Sequence, residues 1–185
     1  MSEIVEALTD SILHAGEVLL REHGACPRPQ VHILAEDMDQ PYVGFVTCRP
    51  FYRGADAANA LAGLGLLPSV LMATRLVVAW EDCDLRTALE MPGEFFATGI
   101  TVLDARFQEH TLRWYPYDVE WGDPSPYGIP TVVPGWRTPA RYENVPLLAP
   151  IEALLDVWRT FRDDDIQQTA TELQDAGYEL TMIKR

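Results

Sequence analysis

Apolar residues recur every three to four positions near both ends of the chain, the spacing of amphipathic helices. The first helix is expected to start at a Ser2 cap and to stop at Gly24, and the second to start at Pro150. The first apolar set is Ile4 or Val5, Leu8, Ile12, Ala15 and Leu19, and the second is Ile151, Leu154, Leu155, Trp158 and Phe161.

Runs of β-branched and aromatic residues between these helices predict strands. Residues 74–80 form a short apolar run bounded by polar residues, which is typical of a strand covered on both faces. Acids follow this run directly. The other predicted strands are two hairpins, residues 31–36 with 42–48 and residues 98–107 with 111–117, and a last strand at residues 178–183.

The composition shifts between residues 114 and 142, where seven aromatic residues and six prolines occur together. Prolines lack a backbone donor, so the pattern predicts a long loop rather than regular structure. The tryptophans and tyrosines argue against disorder. Trp121, Tyr127 and Trp136 are therefore candidates for an interaction surface, and the alternative is that the segment covers the protein's own core.

These elements predict an α+β fold in a single globular domain, residues 1–185, with a mixed β-sheet of about five to six strands, packed helices and the long aromatic and proline-rich loop. The length suits one ordinary domain. No family pattern is recognised in the residues.

The charge balance bears on partners and location. There are 28 acids against 14 lysines and arginines, a net charge of −14, which makes nucleic-acid binding unlikely. Three widely separated cysteines indicate reduced thiols, and no apolar run approaches the length of a membrane span. We expect a cytoplasmic protein without membrane contact.

Acids cluster where two predicted strands end. If these ends are neighbours, their carboxylates could converge on a divalent metal such as magnesium or manganese. The alternative is that they serve as helix caps and turn residues. The first group is Glu36, Asp37 and Asp39, and the second is Glu81, Asp82 and Asp84.

Arg49, Arg53 and Gly54 lie just ahead of a predicted helix and are a candidate anion site. Guanidinium groups and helix amino-terminal amides both favour phosphate or carboxylate ligands. The competing interpretation is pairing of the arginines with some of the many acids.

Since no catalytic motif is present, the favoured hypothesis is a non-catalytic binding or protein-interaction role, through self-association or a protein partner and without a cofactor. The alternative is a small metal-dependent hydrolase or phosphate-ligand enzyme that uses the strand-end acids. The two hypotheses differ in whether several acids or arginines surround one concavity.

Overall fold

The structure is a computed structural model that describes residues 3–183; the expected Ser2 cap lies outside that range. The helices are Glu3–His23 (α1), Ala55–Gly63 (α2), Leu66–Val70 (α3), Asp82–Ala88 (α4), Ala149–Arg159 (α5) and Ile166–Asp175 (α6). The strands are Gln30–Leu34 (β1), Tyr42–Thr47 (β2), Arg75–Glu81 (β3), Gly99–Ala105 (β4), His110–Trp121 (β5), Val132–Trp136 (β6), Ala140–Glu143 (β7) and Glu179–Met182 (β8).

The strands form one sheet in the order β6-β5-β4-β3-β1-β2-β8, and β7 also pairs with β5. The predicted hairpins are confirmed as β1–β2 and β4–β5. The predicted central strand is β3, every residue of which is buried. No described helix has the length and apolar character needed to cross a membrane.

The prediction of a mixed sheet is wrong, because all the pairings between described strands are antiparallel. A helical crossover does return the chain from β2 to β3 in the same direction, as a parallel pair requires. However, β1 lies between these two strands and runs against both. The predicted helical connection is real, but the strands that it joins are not neighbours.

The prediction of five to six strands is also wrong, since eight strands are described. The additional strands β6 and β7 come from the end of the predicted loop, where both pair with β5, and residues 122–131 form the loop that remains. Backbone hydrogen bonds join Gly122 to Thr131 and Arg137 to Pro116. Since hydrogen-bonded and non-hydrogen-bonded pairs alternate along an antiparallel ladder, the Val119–Pro134 pair has no hydrogen bonds. The missing N–H of Pro134 thus faces the free edge of β6, where a strand tolerates proline.

Two apolar cores cover the two faces of the sheet. On one face α1 packs through Val5, Ile12 and Leu20 onto β3, β4 and β6. On the other face the remaining helices bury Leu61, Trp158 and their neighbours against β1 to β4. The far end of the β5–β6 hairpin extends past both cores.

Candidate functional site

The β5–β6 hairpin carries a group of exposed large apolar side chains. Trp121 is 74% exposed, Tyr127 82% and Trp136 38%. Val119 and Ile129 are exposed as well. We call these five residues the hairpin surface. All three aromatic residues that the sequence suggested for interaction lie on it.

The ladder register places much of this surface on one face of the hairpin. Tyr117, Val119 and Trp121 occupy every second position of β5 and so share one face, and Tyr117 pairs directly with Trp136 of β6. The Tyr117 and Trp136 rings meet edge to face, with centroids 5.5 Å apart. The same face continues into the core beneath α1, because Tyr117 is buried there.

Contacts with α1 hold the hairpin in place. The Trp136 indole Nε1 donates a hydrogen bond to Glu17 over 3.0 Å, and this bond is the main reason that the Glu17 pKa lies below its usual value, with Arg21 second. At the end of α1, Gly24 has a φ of +62°, and a Cβ there would stand 1.9 Å from the Pro130 carbonyl oxygen. The backbones therefore meet more closely than any residue other than glycine allows.

Internal hydrogen bonds order the loop between β6 and the end of β5. The Thr131 hydroxyl donates to the Asp123 carbonyl over 2.6 Å. The Ser125 N–H donates to the Ile129 carbonyl, and the Gly128 N–H donates to the Ser125 carbonyl, each over 2.8 Å. Tyr127 is thus presented on a closed turn that is fixed at its base.

Acidic side chains border the hairpin surface. Glu120 and Asp123 are exposed, and Asp118 pairs with Arg137 at the opposite side of the ladder. On α1, Glu17 and Glu22 flank the same region. The surroundings of the exposed aromatic groups share the acidic character of the whole chain.

The two groups of strand-end acids lie at opposite ends of the sheet. Because β1 runs against β3, Leu34 pairs with Arg75 at the start of β3, whereas Glu81 ends that strand. The residues of β3 between these ends span about 20 Å. Glu36 and Glu81 therefore do not converge, and within residues 3–183 no group of three or more His, Cys, Asp or Glu is placed to hold a metal ion.

In the first group, Glu36 accepts hydrogen bonds from Arg75 over 2.7 Å and from Arg106 over 3.1 Å. Asp37 and Asp39 are exposed in the turn between β1 and β2. This group is therefore divided between an ion-pair network and a solvated turn.

The second group is organised around the start of α4. Glu81 is only 2% exposed and accepts hydrogen bonds from the N–H groups of Asp84 and Gly99 and from the Tyr117 hydroxyl. Burial raises its pKa, although these bonds oppose the rise. Glu81 caps the helix, so this acid has the capping role that the sequence offered as the alternative to metal binding.

Asp82 lies apart from Glu81, in a cavity of about 540 Å³. There it accepts from Arg86 over 2.6 Å and from the Trp80 indole over 3.3 Å. Trp114 and Tyr142, from the ends of the aromatic segment, line the same cavity. The two charged side chains that line this cavity, Asp82 and Arg86, form an ion pair with each other.

The residues of the candidate anion site are adjacent but already have contacts. Arg49 forms an ion pair with Asp56, and the Gly54 N–H donates to the Ala88 carbonyl over 2.8 Å. The Glu90 carboxylate lies 3.0 Å from where a Cβ of Gly54 would be. Burial raises the pKa of Asp84, and the charge of the exposed Arg53 opposes that rise. Acids thus surround the three residues proposed for an anion.

Sequence reasoning passed over Arg113, which the structure buries on the α1 face of β5. The alternation of side chains along β5 could have indicated that Arg113 is buried. Arg113 shares a face with Tyr115 and Tyr117, both of which pack against the α1 core. A charged residue at such a position needs a specific partner.

No protein-family model matches the chain, and searches of curated proteins and of solved structures found no match either.

Proposed function

We propose that this protein is a non-catalytic binding protein that recognises a protein partner through the hairpin surface. The observation that carries the proposal is the exposure of Trp121 and Tyr127 on an ordered, docked hairpin. Exposed apolar residues scattered singly are ordinary, but several on one projecting element are characteristic of interaction sites. Tryptophan and tyrosine are also the residues that most often dominate binding energy.

Charge favours a basic partner. The acids around the hairpin surface, in a chain of net charge −14, attract a positively charged protein and repel a second copy of this chain. The free edge of β6 presents Pro134, which has no N–H to offer to an added strand. Recognition through side chains of the hairpin face is thus favoured over strand addition at this edge.

The alternative hypothesis, a hydrolase or phosphate-ligand enzyme, requires acids or arginines that surround one concavity. The strand-end acids are separated by the length of β3, and Arg49 is paired with Asp56. Neither arrangement supports that alternative as well as the exposed aromatic residues support the binding role.

The test is affinity capture from the native cell extract with immobilised protein, followed by affinity measurement on the purified partner. The variant Trp121→Ser/Tyr127→Ser removes two exposed rings from the hairpin surface. The control variant Tyr52→Ser/Phe95→Ser removes two equally exposed rings elsewhere, since Tyr52 is 86% exposed and Phe95 93%. All four rings are exposed, so we expect both variants to fold normally.

We expect a basic protein that the wild type and the control retain and that the hairpin variant loses, with affinity reduced by about 30-fold or more. Binding should also weaken as salt is raised, because the steering is electrostatic. Equal retention by both variants would contradict the proposal. So would sedimentation showing a homodimer that the hairpin variant abolishes, since the partner would then be a second copy.

A further inference from the structure

A second binding feature, independent of the proposed protein interface, lies at the opposite end of β5. Two rows of directly paired residues run across the α1 face of the sheet there. One row is Asp104, Thr111 and Glu143, and the other is Val102, Arg113 and Arg141. All of them except Val102 line, together with Arg75, a polar cavity of about 420 Å³. This volume is within the range of small-molecule sites.

Most arginines of the cavity have acid partners. Arg75 donates two hydrogen bonds to Asp104, over 2.7 and 2.8 Å, and Arg141 donates to Glu143 over 2.8 Å. Arg106, at the rim, pairs with Glu36 and Glu109. These pairs account for the charge of every cavity arginine except Arg113.

Arg113 is 7% exposed, and its guanidinium forms no hydrogen bond or ion pair with any residue in the described range 3–183. Its Nη1 atom is fully buried. Glu143 is the acid that senses its charge, but the low pKa of Glu143 has the Thr111 hydroxyl and Arg141 as its larger causes. The forked guanidinium of Arg113 thus lies in the cavity wall without an acceptor.

A buried guanidinium without an acceptor is costly, because it has five N–H donors and cannot lose its charge. An anion with two coplanar oxygens matches this fork. Within residues 3–183, Arg113 is the cavity arginine that has no acid partner, and Asp104 and Glu143 nearby oppose a doubly charged ligand. We propose that the cavity binds a small molecule through one carboxylate group held by Arg113.

The test is thermal melting with sodium acetate or sodium benzoate, and separately with sodium phosphate, at constant ionic strength maintained with sodium chloride. Arg113→Met removes the fork. Arg137→Met removes the same charge from an exposed pair with Asp118 and serves as the control. Near saturation, a carboxylate should raise the Tm of the wild type and the control by about 5 °C or more. The Tm of Arg113→Met should not respond.

Arg113→Lys keeps the charge but loses the fork, so it should bind the carboxylate about tenfold more weakly than the wild type. This variant decides the question if Arg113→Met does not fold. The proposal is overturned if no carboxylate raises the wild-type Tm, or if variants at Arg113 respond as the wild type does. A response to phosphate alone would overturn the assignment to a carboxylate.

Discussion

At the scale of single residues, several polar groups in this protein serve structure rather than chemistry. Glu81 has the buried position and raised pKa of a catalytic acid, yet two backbone N–H groups and the Tyr117 hydroxyl occupy its oxygens. His32 is buried as well. Its Nδ1 lies 2.8 Å from the Tyr42 hydroxyl oxygen, and its ring stacks on Phe45. Both carboxylate oxygens of Glu81 accept hydrogen bonds, and the remaining ring nitrogen of His32, Nε2, is buried. Neither residue can therefore act on a substrate that arrives from solvent.

Burial lowers the pKa of His32 to about 4, from an ordinary value of 6.5. As the pH falls below 6.5, the unfolded chain takes up the proton first, so the free energy of unfolding decreases until the pH reaches about 4. The loss from this residue is about 3 kcal/mol. His32→Gln should therefore lose less stability than the wild type between pH 7.5 and 4.5.

Denaturant unfolding at the two pH values measures this difference directly. An identical loss of stability in both proteins would show that His32 does not titrate as its burial requires.

At the scale of elements, local sequence patterns predict the helices and strands correctly where the hydrophobic periodicity is regular. The helices α1 and α5, the strand β3 and the two hairpins follow from such patterns. The sequence does not show which distant strands pair, and in the structure β1 lies between β2 and β3. Because β1 and β3 are antiparallel, Glu36 and Glu81 lie at opposite ends of the sheet. The prolines in residues 132–143 argued against strands there. A strand accepts proline only where the missing N–H faces a free edge, and the sequence does not show which edge is free.

The sequence identified the exposed aromatic residues of the candidate site, but their exposure depends on how α1 and β6 pack. Trp136 illustrates the limit, since only the folded chain shows its indole bonded to Glu17. Arg113 was recognisable in principle from strand alternation. Its lack of a partner is a property of the three-dimensional arrangement.

The contact between α1 and the hairpin gives a prediction at this scale. Gly24→Ala would place a methyl group against the Pro130 carbonyl oxygen, whereas Gly128→Ala would meet nothing within 4 Å. Both glycines have positive φ values, +62° and +73°, so both substitutions cost backbone strain of about 1 kcal/mol. Gly24→Ala should cost about 2 kcal/mol more, because the two elements must separate.

Chemical denaturation of the two variants checks this difference. Equal destabilisation would mean that the close approach of α1 to the hairpin contributes nothing.

At the scale of the whole molecule, the sheet divides two kinds of surface. The central strands are covered on both faces by helices, while β5 extends past them and carries the hairpin surface at one end and the arginine-lined cavity at the other. With a net charge of −14, the molecule presents exposed aromatic rings within an acidic field. That combination favours a basic protein partner.

The most direct test of the hairpin surface as a protein-binding site is site-specific photo-crosslinking in the cells that produce the protein. A benzoylphenylalanine crosslinker is placed at Tyr127 or, as the control, at Tyr52, two tyrosines with nearly equal exposure. We predict a discrete crosslinked complex with a basic protein from position 127 and not from position 52. The same products from both positions, or none from position 127, would contradict the assignment of the hairpin as the binding surface.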